Sequence, residues 1–182
     1  MTHSEKLDTF SVLPEAEYEA AKALYQAGKS LGCKISSLTR ALKNQPKGYR
    51  IIFGNRDTGS VLFWMQITDG ALYVKANLFH IGGYEDKISA CSAKIKNAVT
   101  ATKECGRCGL CAPRPPYRVD GKLYNPCCFH GHYFTHIGGN DWQALCELIA
   151  LEHERQNEDE NAAPDIPSGA RDPMKPYHGF HR

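Results

Sequence analysis

Five of the chain's eight cysteines fall in one short stretch: Cys105, Cys108, Cys111, Cys127 and Cys128. His130, His132 and His136 follow directly. The surrounding residues, 104–136, are rich in Pro, Arg and Gly and offer little to bury, so hydrophobic collapse alone gives them few ways to order. Their spacing supplies another way. Cys105 and Cys108 form a C-x2-C knuckle and Cys127 with His130 a C-x2-H knuckle, separated by 18 residues. That gap lies in the window of about 15–20 residues used by paired zinc knuckles. Two residues between ligands let a tight turn aim both side chains at one point, as tetrahedral zinc requires. Cys108 and Cys111 offer a second C-x2-C, 15 residues ahead of Cys127.

The residues between the knuckles agree with this. Asp120-Gly121 separates Tyr117–Val119 from Lys122–Tyr124, a hairpin signal because both turn positions need positive φ. A hairpin there folds Cys127 back beside the Cys105–Cys111 loop, and the segment resembles a zinc ribbon. The expected ligands are Cys105, Cys108 and Cys127, with the fourth place open between Cys128, Cys111 and His130. Glu104 and Asp120 are the only carboxylates nearby to serve as a base for a metal-bound water, which favours a closed, structural Zn2+ site. A [4Fe–4S] cluster is the alternative cofactor. CGRCGLC at 105–111 is similar to the C-x2-C-x2-C opening of a bacterial ferredoxin loop, although APRPP follows where a fourth cysteine and proline belong. On either reading the hairpin has too little apolar surface to hold itself by burial, and the metal supplies its folding energy.

Elsewhere the periodicities are those of an ordinary globule: 182 residues, 42% apolar and 23% charged. Residues 15–27 repeat apolar positions at helical spacing between Pro14 and Gly28, and Ser36–Lys43 reads as a shorter helix ending before Pro46. Tyr49–Phe53, Val61–Ile67 and Leu72–Phe79 read as strands, the last two joined by Asp69-Gly70, and together predict an antiparallel meander. Glu85–Lys103 reads as one amphipathic helix through Ile88, Cys91, Ile95 and Val99. Asp141–Arg155 reads as a last helix opened by Asn140 and Gln143, with Glu152, His153 and Glu154 on its solvated face. Cys91 and Cys146 fall on apolar stripes and read as core.

The expected fold is therefore α+β: an antiparallel β-meander with helices packed on one face and a Cys-rich metal-binding hairpin inserted before the last helix. Four segments follow: an α+β core over 1–103, the hairpin over 104–136, a C-terminal helix over 137–156 packing on the core, and a disordered tail over 157–182. HIGG occurs twice, at 80–83 and 136–139, each between a strand-like run and a helix. Paired glycines there predict unusual φ values, and two helix N-termini beside His80 and His136 are candidate anion-binding positions.

Several function classes fall away. No apolar run reaches the roughly 18 residues of a membrane span. The opening MTHSEKLDTF has no apolar stretch of the signal-peptide kind, which predicts a cytoplasmic protein. With 22 Lys+Arg against 20 Asp+Glu, bulk charge does not single out nucleic acid. Locally, Lys103, Arg107, Arg114, Arg118 and Lys122 make the hairpin basic, with Tyr117 and Tyr124 between them. Arg114 and Arg118 are its candidate ligand-binding residues, nucleic acid included. No serine–histidine–aspartate order or phosphate-binding glycine loop is present, so catalysis is not required. The expected function is a zinc-stabilised binding or accessory domain for a small molecule or protein. The alternatives are an iron–sulfur redox or sensor protein and, third, a metal-dependent hydrolase using His80 or His136.

Overall fold

A computed structural model describes residues 9–40, 48–101, 114–126 and 131–162. A 3-10 turn at Thr9–Val12 leads into helix α1, Glu15–Ser30, and then strands β1 (Lys34–Arg40), β2 (Gly48–Gly54), β3 (Val61–Thr68) and β4 (Ala71–Ala76). A 3-10 turn at Ile81–Gly83 precedes α2 (Glu85–Ser89) and α3 (Ala93–Thr100). Next come β5 (Tyr117–Val119), β6 (Lys122–Tyr124), β7 (His132–Thr135) and α4 (Asp141–Ala162). Among the described residues the α+β class is realised as a five-stranded sheet in the order β1-β2-β3-β4-β7, every neighbouring pair antiparallel, together with four α-helices.

The meander forms where its turn residues require. Asp69 (φ 53°) and Gly70 (φ 71°) both occupy the left-handed region and close β3 onto β4. Burial alternates along the strands. Ile51, Phe53, Phe63, Met65, Leu72 and Val74 turn inward to join Ala20, Leu24, Tyr25, Ile88, Val99, Leu145 and Ile149 from the helices in one core. Arg50, Trp64, Gln66, Tyr73, Lys75 and Tyr133 occupy the opposite face and stay partly or fully exposed.

Two strands extend the sheet beyond the meander. The segment read as a helix at Ser36–Lys43 is instead β1 as far as Arg40, paired along its length with β2. Cys33 is buried and Ile35 and Ser37 half-buried while Lys34 and Ser36 are exposed, a two-residue period that the distant Pro46 obscured. β7, arriving from beyond the cysteine-rich segment, covers the free side of β4. The single helix expected over Glu85–Lys103 is divided at Ala90–Ser92. Ser92 is extended, and its hydroxyl accepts from Ile95 N–H at 3.3 Å, starting α3 afresh. Ile88, Ile95 and Val99 still share one buried stripe across the break.

Gly28, expected to end the first helix, lies within it. The residue is pressed against the Phe53 ring, which itself stacks on Phe63 at 4.2 Å between centroids. The last helix likewise outruns its expected end at Arg155 and enters the segment read as a tail. Asn55 Nδ2 donates to Asn157 Oδ1 at 2.8 Å, and Ser60 Oγ to Gln156 Oε1 at 3.1 Å, tying that extension to the β2–β3 loop. The remainder of the expected tail, 163–182, lies outside the described residues.

Asp120 (φ 49°) and Gly121 (φ 80°) turn β5 into β6, with Tyr117 opposite Tyr124. Contrary to expectation, this pair of strands is held by burial. Tyr117 is 2% and Val119 4% exposed, and the Tyr117 hydroxyl donates to Val99 O at 2.8 Å. Alternation explains it: Arg118 faces out between two residues that enter the core. Because Gly121 alone can take φ 80° freely, Gly121→Ala is expected to cost about 1 kcal/mol, read as a lower unfolding midpoint in denaturant.

Candidate functional site

The expected metal ligands Cys105, Cys108, Cys111, Cys127, Cys128 and His130 all lie outside the described residues, and the metal-binding character of the hairpin with them. The described neighbours fix where the two cysteine segments attach to the fold. One runs from Ala101, just past α3, to Arg114, just before β5; the other joins Pro126, just past β6, to Gly131, just before β7. Pairing of Tyr117 with Tyr124 sets the inner ends of both segments side by side. Among the described residues no group of three His, Cys, Asp or Glu side chains is placed to hold a metal ion.

At this junction sits a residue that the spacing argument passed over. His132 opens β7, is 1% exposed, and has no hydrogen-bond partner among the described residues at either Nδ1 or Nε2. Burial first, and the Arg114 guanidinium second, push its pKa down to about 4, so the ring is neutral. The carbonyls of Leu78, Val99 and Ala98 face the ring and act the other way, without reaching hydrogen-bond geometry. Tyr117 meets it edge-on with centroids 6.5 Å apart, and Arg114 lies over the Phe79 ring at 3.8 Å. Two-residue alternation on β7 was the available signal, since His132 and Phe134 point inward while Tyr133 and Thr135 point out.

The two HIGG histidines occupy similar roles at separate places. His80 Nδ1 lies 2.8 Å from Glu152 Oε1, and the other carboxylate oxygen accepts from His80 N–H at 3.0 Å and from the Tyr84 hydroxyl at 2.7 Å. Gln156 adds a bond to Glu152 Oε1 at 3.1 Å. Glu152 is fully buried, not on a solvated face. It follows Leu145, Leu148 and Ile149 at helical spacing, a stripe that placed it inward all along. Burial works to raise its pKa, but the bonds from His80 and Tyr84 prevail and hold the carboxyl below its ordinary range. Burial and the adjacent carboxylate keep the Tyr84 phenol protonated.

His136 Nδ1 lies 3.1 Å from Glu17 Oε1, while Glu17 Oε2 accepts from Leu72 N–H at 2.7 Å. Each HIGG histidine therefore faces a helix carboxylate that also accepts a backbone N–H. A carboxylate is a poor neighbour for the anion expected at either elbow. Unusual φ values occur in the second elbow alone, at His136 (51°) and Gly139 (59°), whereas Gly82 and Gly83 form the 3-10 turn. Carboxylate-oriented imidazoles of this kind serve general-base and metal-ligand chemistry alike.

Arg118 lies on the exposed side of β5, where its guanidinium donates to Gly121 O at 3.0 Å and its N–H to Glu85. Lys96 pairs with Asp120 at 3.1 Å across an open groove of about 430 Å³ between α3 and the hairpin. A second cavity, about 280 Å³, lies between α3 and β7, lined by Ile95, Ala98, Phe134 and Ile137 and flanked by Lys94 and Asp141. The described cysteines, Cys33, Cys91 and Cys146, are in no disulfide, and burial raises each thiol pKa, that of Cys146 to about 11. They are protonated and poorly nucleophilic. No helix among the described residues is long and apolar enough to cross a membrane.

Compared with family models, with curated proteins and with solved structures, the chain finds no match.

Proposed function

We propose that this chain is a binding or accessory domain whose cysteine-rich segment holds one structural zinc ion. Cys105, Cys108 and Cys127 supply three ligands, and Cys111, Cys128 or His130 completes the shell. The observation that carries this reading is the β5–β6 pairing: it brings together, at one end of the fold, the two stretches of chain from which the knuckles extend. The chemistry of the surroundings fits a thiolate-bound metal. His132 offers two buried ring nitrogens with no partner among the described residues, and the Arg114 cation beside it balances the negative charge of a zinc–thiolate centre. When bound, zinc would tie the two segments together and supply no reaction of its own. The chain's own residues do the rest: Tyr117 and Val119 anchor the hairpin in the core, and the groove between Lys96 and Lys122 is open to a ligand. Reduced thiols used for metal belong to a cytoplasmic setting.

Elemental analysis of anaerobically purified protein is expected to give one zinc per chain. Chelation is expected to raise hydrogen exchange within β5 and β6 while β2 and β3 stay protected. Metal-free protein, or exchange unaltered by chelation, overturns the reading. Brown protein with broad absorbance near ~400 nm assigns the C-x2-C-x2-C loop to an iron–sulfur cluster instead.

A further inference from the structure

The face of the sheet turned away from the helices has a composition unlike the rest of the chain. By register, Lys34, Arg50 and Lys75 all lie on it, and Arg40 is the last residue of β1. No other lysine or arginine occurs in the five strands, and none of them contains an aspartate or glutamate. In a chain whose charges nearly cancel, this face is purely cationic. It is also aromatic. Trp64, Tyr73 and Tyr133 lie on it, with Tyr73 37% and Tyr133 52% exposed. The aromatic and basic groups interleave. Arg50 sits 4.2 Å over the Trp64 ring, Lys75 lies 5.5 Å from the Tyr133 ring, and Trp64 meets Tyr133 edge-on at 6.1 Å.

We infer that this outer sheet face binds single-stranded nucleic acid. Charge complementarity selects a polyanion, since three strands contribute cations and none an opposing carboxylate. The aromatic rings select one with flat, unpaired bases. Base–aromatic stacking combined with cations that track a phosphate backbone is the way sequence-tolerant single-strand binders work. A duplex stacks its bases and so hides the faces that these rings would meet. Burying tyrosine rings and lysine stems against bases also covers apolar surface that is otherwise left open on this face. The inference invokes none of the candidate metal ligands, although Tyr133 lies two residues past Gly131, where the second cysteine segment ends, and Lys75 packs against that glycine.

The test is fluorescence anisotropy with full-length protein and labelled oligo(U) and oligo(dT) of about 15 nucleotides, with a duplex of the same length beside them. Binding to one or both single strands, weaker for duplex and falling steeply with salt, is expected, with Trp64 emission quenched on binding. Tyr133→Ala and Trp64→Ala are each expected to weaken binding about tenfold, and Lys75→Glu similarly, whereas Lys22→Glu on α1 leaves it unchanged. Circular dichroism verifies the fold of each variant. If Trp64→Ala does not fold, the exposed Tyr133 and Lys75 positions carry the test. Absence of binding at low salt, or equal binding by correctly folded outer-face variants, overturns the inference. Displacement by polyglutamate as readily as by oligonucleotide also overturns it, in favour of an acidic protein partner. Preference between the two oligonucleotides assigns RNA or DNA as the source.

Discussion

Glu152→Ala is expected to lower stability by about 3–5 kcal/mol, the cost of removing one partner from a buried hydrogen-bonded ionic group. The substitution strips acceptors from the His80 N–H, the Tyr84 hydroxyl, the His80 ring and Gln156 together, and leaves a cavity beside His80 and Tyr84. Glu152→Gln retains an oxygen and most of the volume, so a smaller loss of about 1–3 kcal/mol is expected. Both are read from urea midpoints with an unchanged slope. The pH dependence gives a separate check. The folded-state pKa of Glu152 is depressed, so its contribution is complete above the unfolded carboxyl value, ~4.3, and is lost as pH falls through the lower folded value. The difference between wild type and Glu152→Gln is therefore expected to shrink on acidification through that range. A difference that stays constant with pH assigns the loss to packing and removes the charged network as its cause.

Gly28→Ala is expected to destabilise in spite of helix propensity, which favours alanine at an interior position by about 1 kcal/mol. Helix α1 approaches the sheet so closely that a Cβ at Gly28 collides with the side of the Phe53 ring. Phe53 cannot yield, because it stacks face to face with Phe63 and meets Tyr25 edge-on at 5.9 Å. Overpacking of this kind costs about 1–3 kcal/mol for small insertions, and Gly28→Val is expected to exceed Gly28→Ala. Phe53→Ala removes every ring atom in the collision, so the double variant Gly28→Ala, Phe53→Ala is expected to be more stable than the two single losses added together. Simple additivity in that double-mutant cycle rules out the close approach as the cause.

These two positions also mark where the amino-acid pattern speaks and where it is silent. The Asp-Gly turns at 69–70 and 120–121 were legible because their chemistry is local: two left-handed residues in succession leave few alternatives. The meander strands and the inward stripe of the last helix were legible for the same reason. Gly28 was not, since a glycine ending a helix and a glycine admitting a neighbouring sheet look identical along the chain. Ser36–Lys43 misled because a short polar segment carries weak periodicity, and only pairing with β2 decides its conformation. Glu152 misled by its charge: hydrophobicity assigns a carboxylate to solvent, while the apolar residues three, four and seven positions earlier point it inward. His80 and His136 stood out as a repeated motif, but their partners, Glu152 and Glu17, are remote in sequence and could be found only in three dimensions. The cationic outer face was hidden in the same way, because Lys34, Arg50 and Lys75 are scattered along the chain and assembled by strand register.

The strand order has a consequence for how the fold assembles. β1 to β4 pair with their immediate neighbours in sequence, so each closes a short loop, while β7 must return across dozens of residues to meet β4. Closing that long loop costs more chain entropy than any hairpin in the meander, and β7 contributes a four-residue strand to offset it. Until it docks, the backbone of β4 presents a row of unpaired donors and acceptors, a template for association with another chain. Both cysteine segments lie inside this loop. Whatever ties them together shortens the span that β7 must close, and so governs how long the nascent sheet stays open.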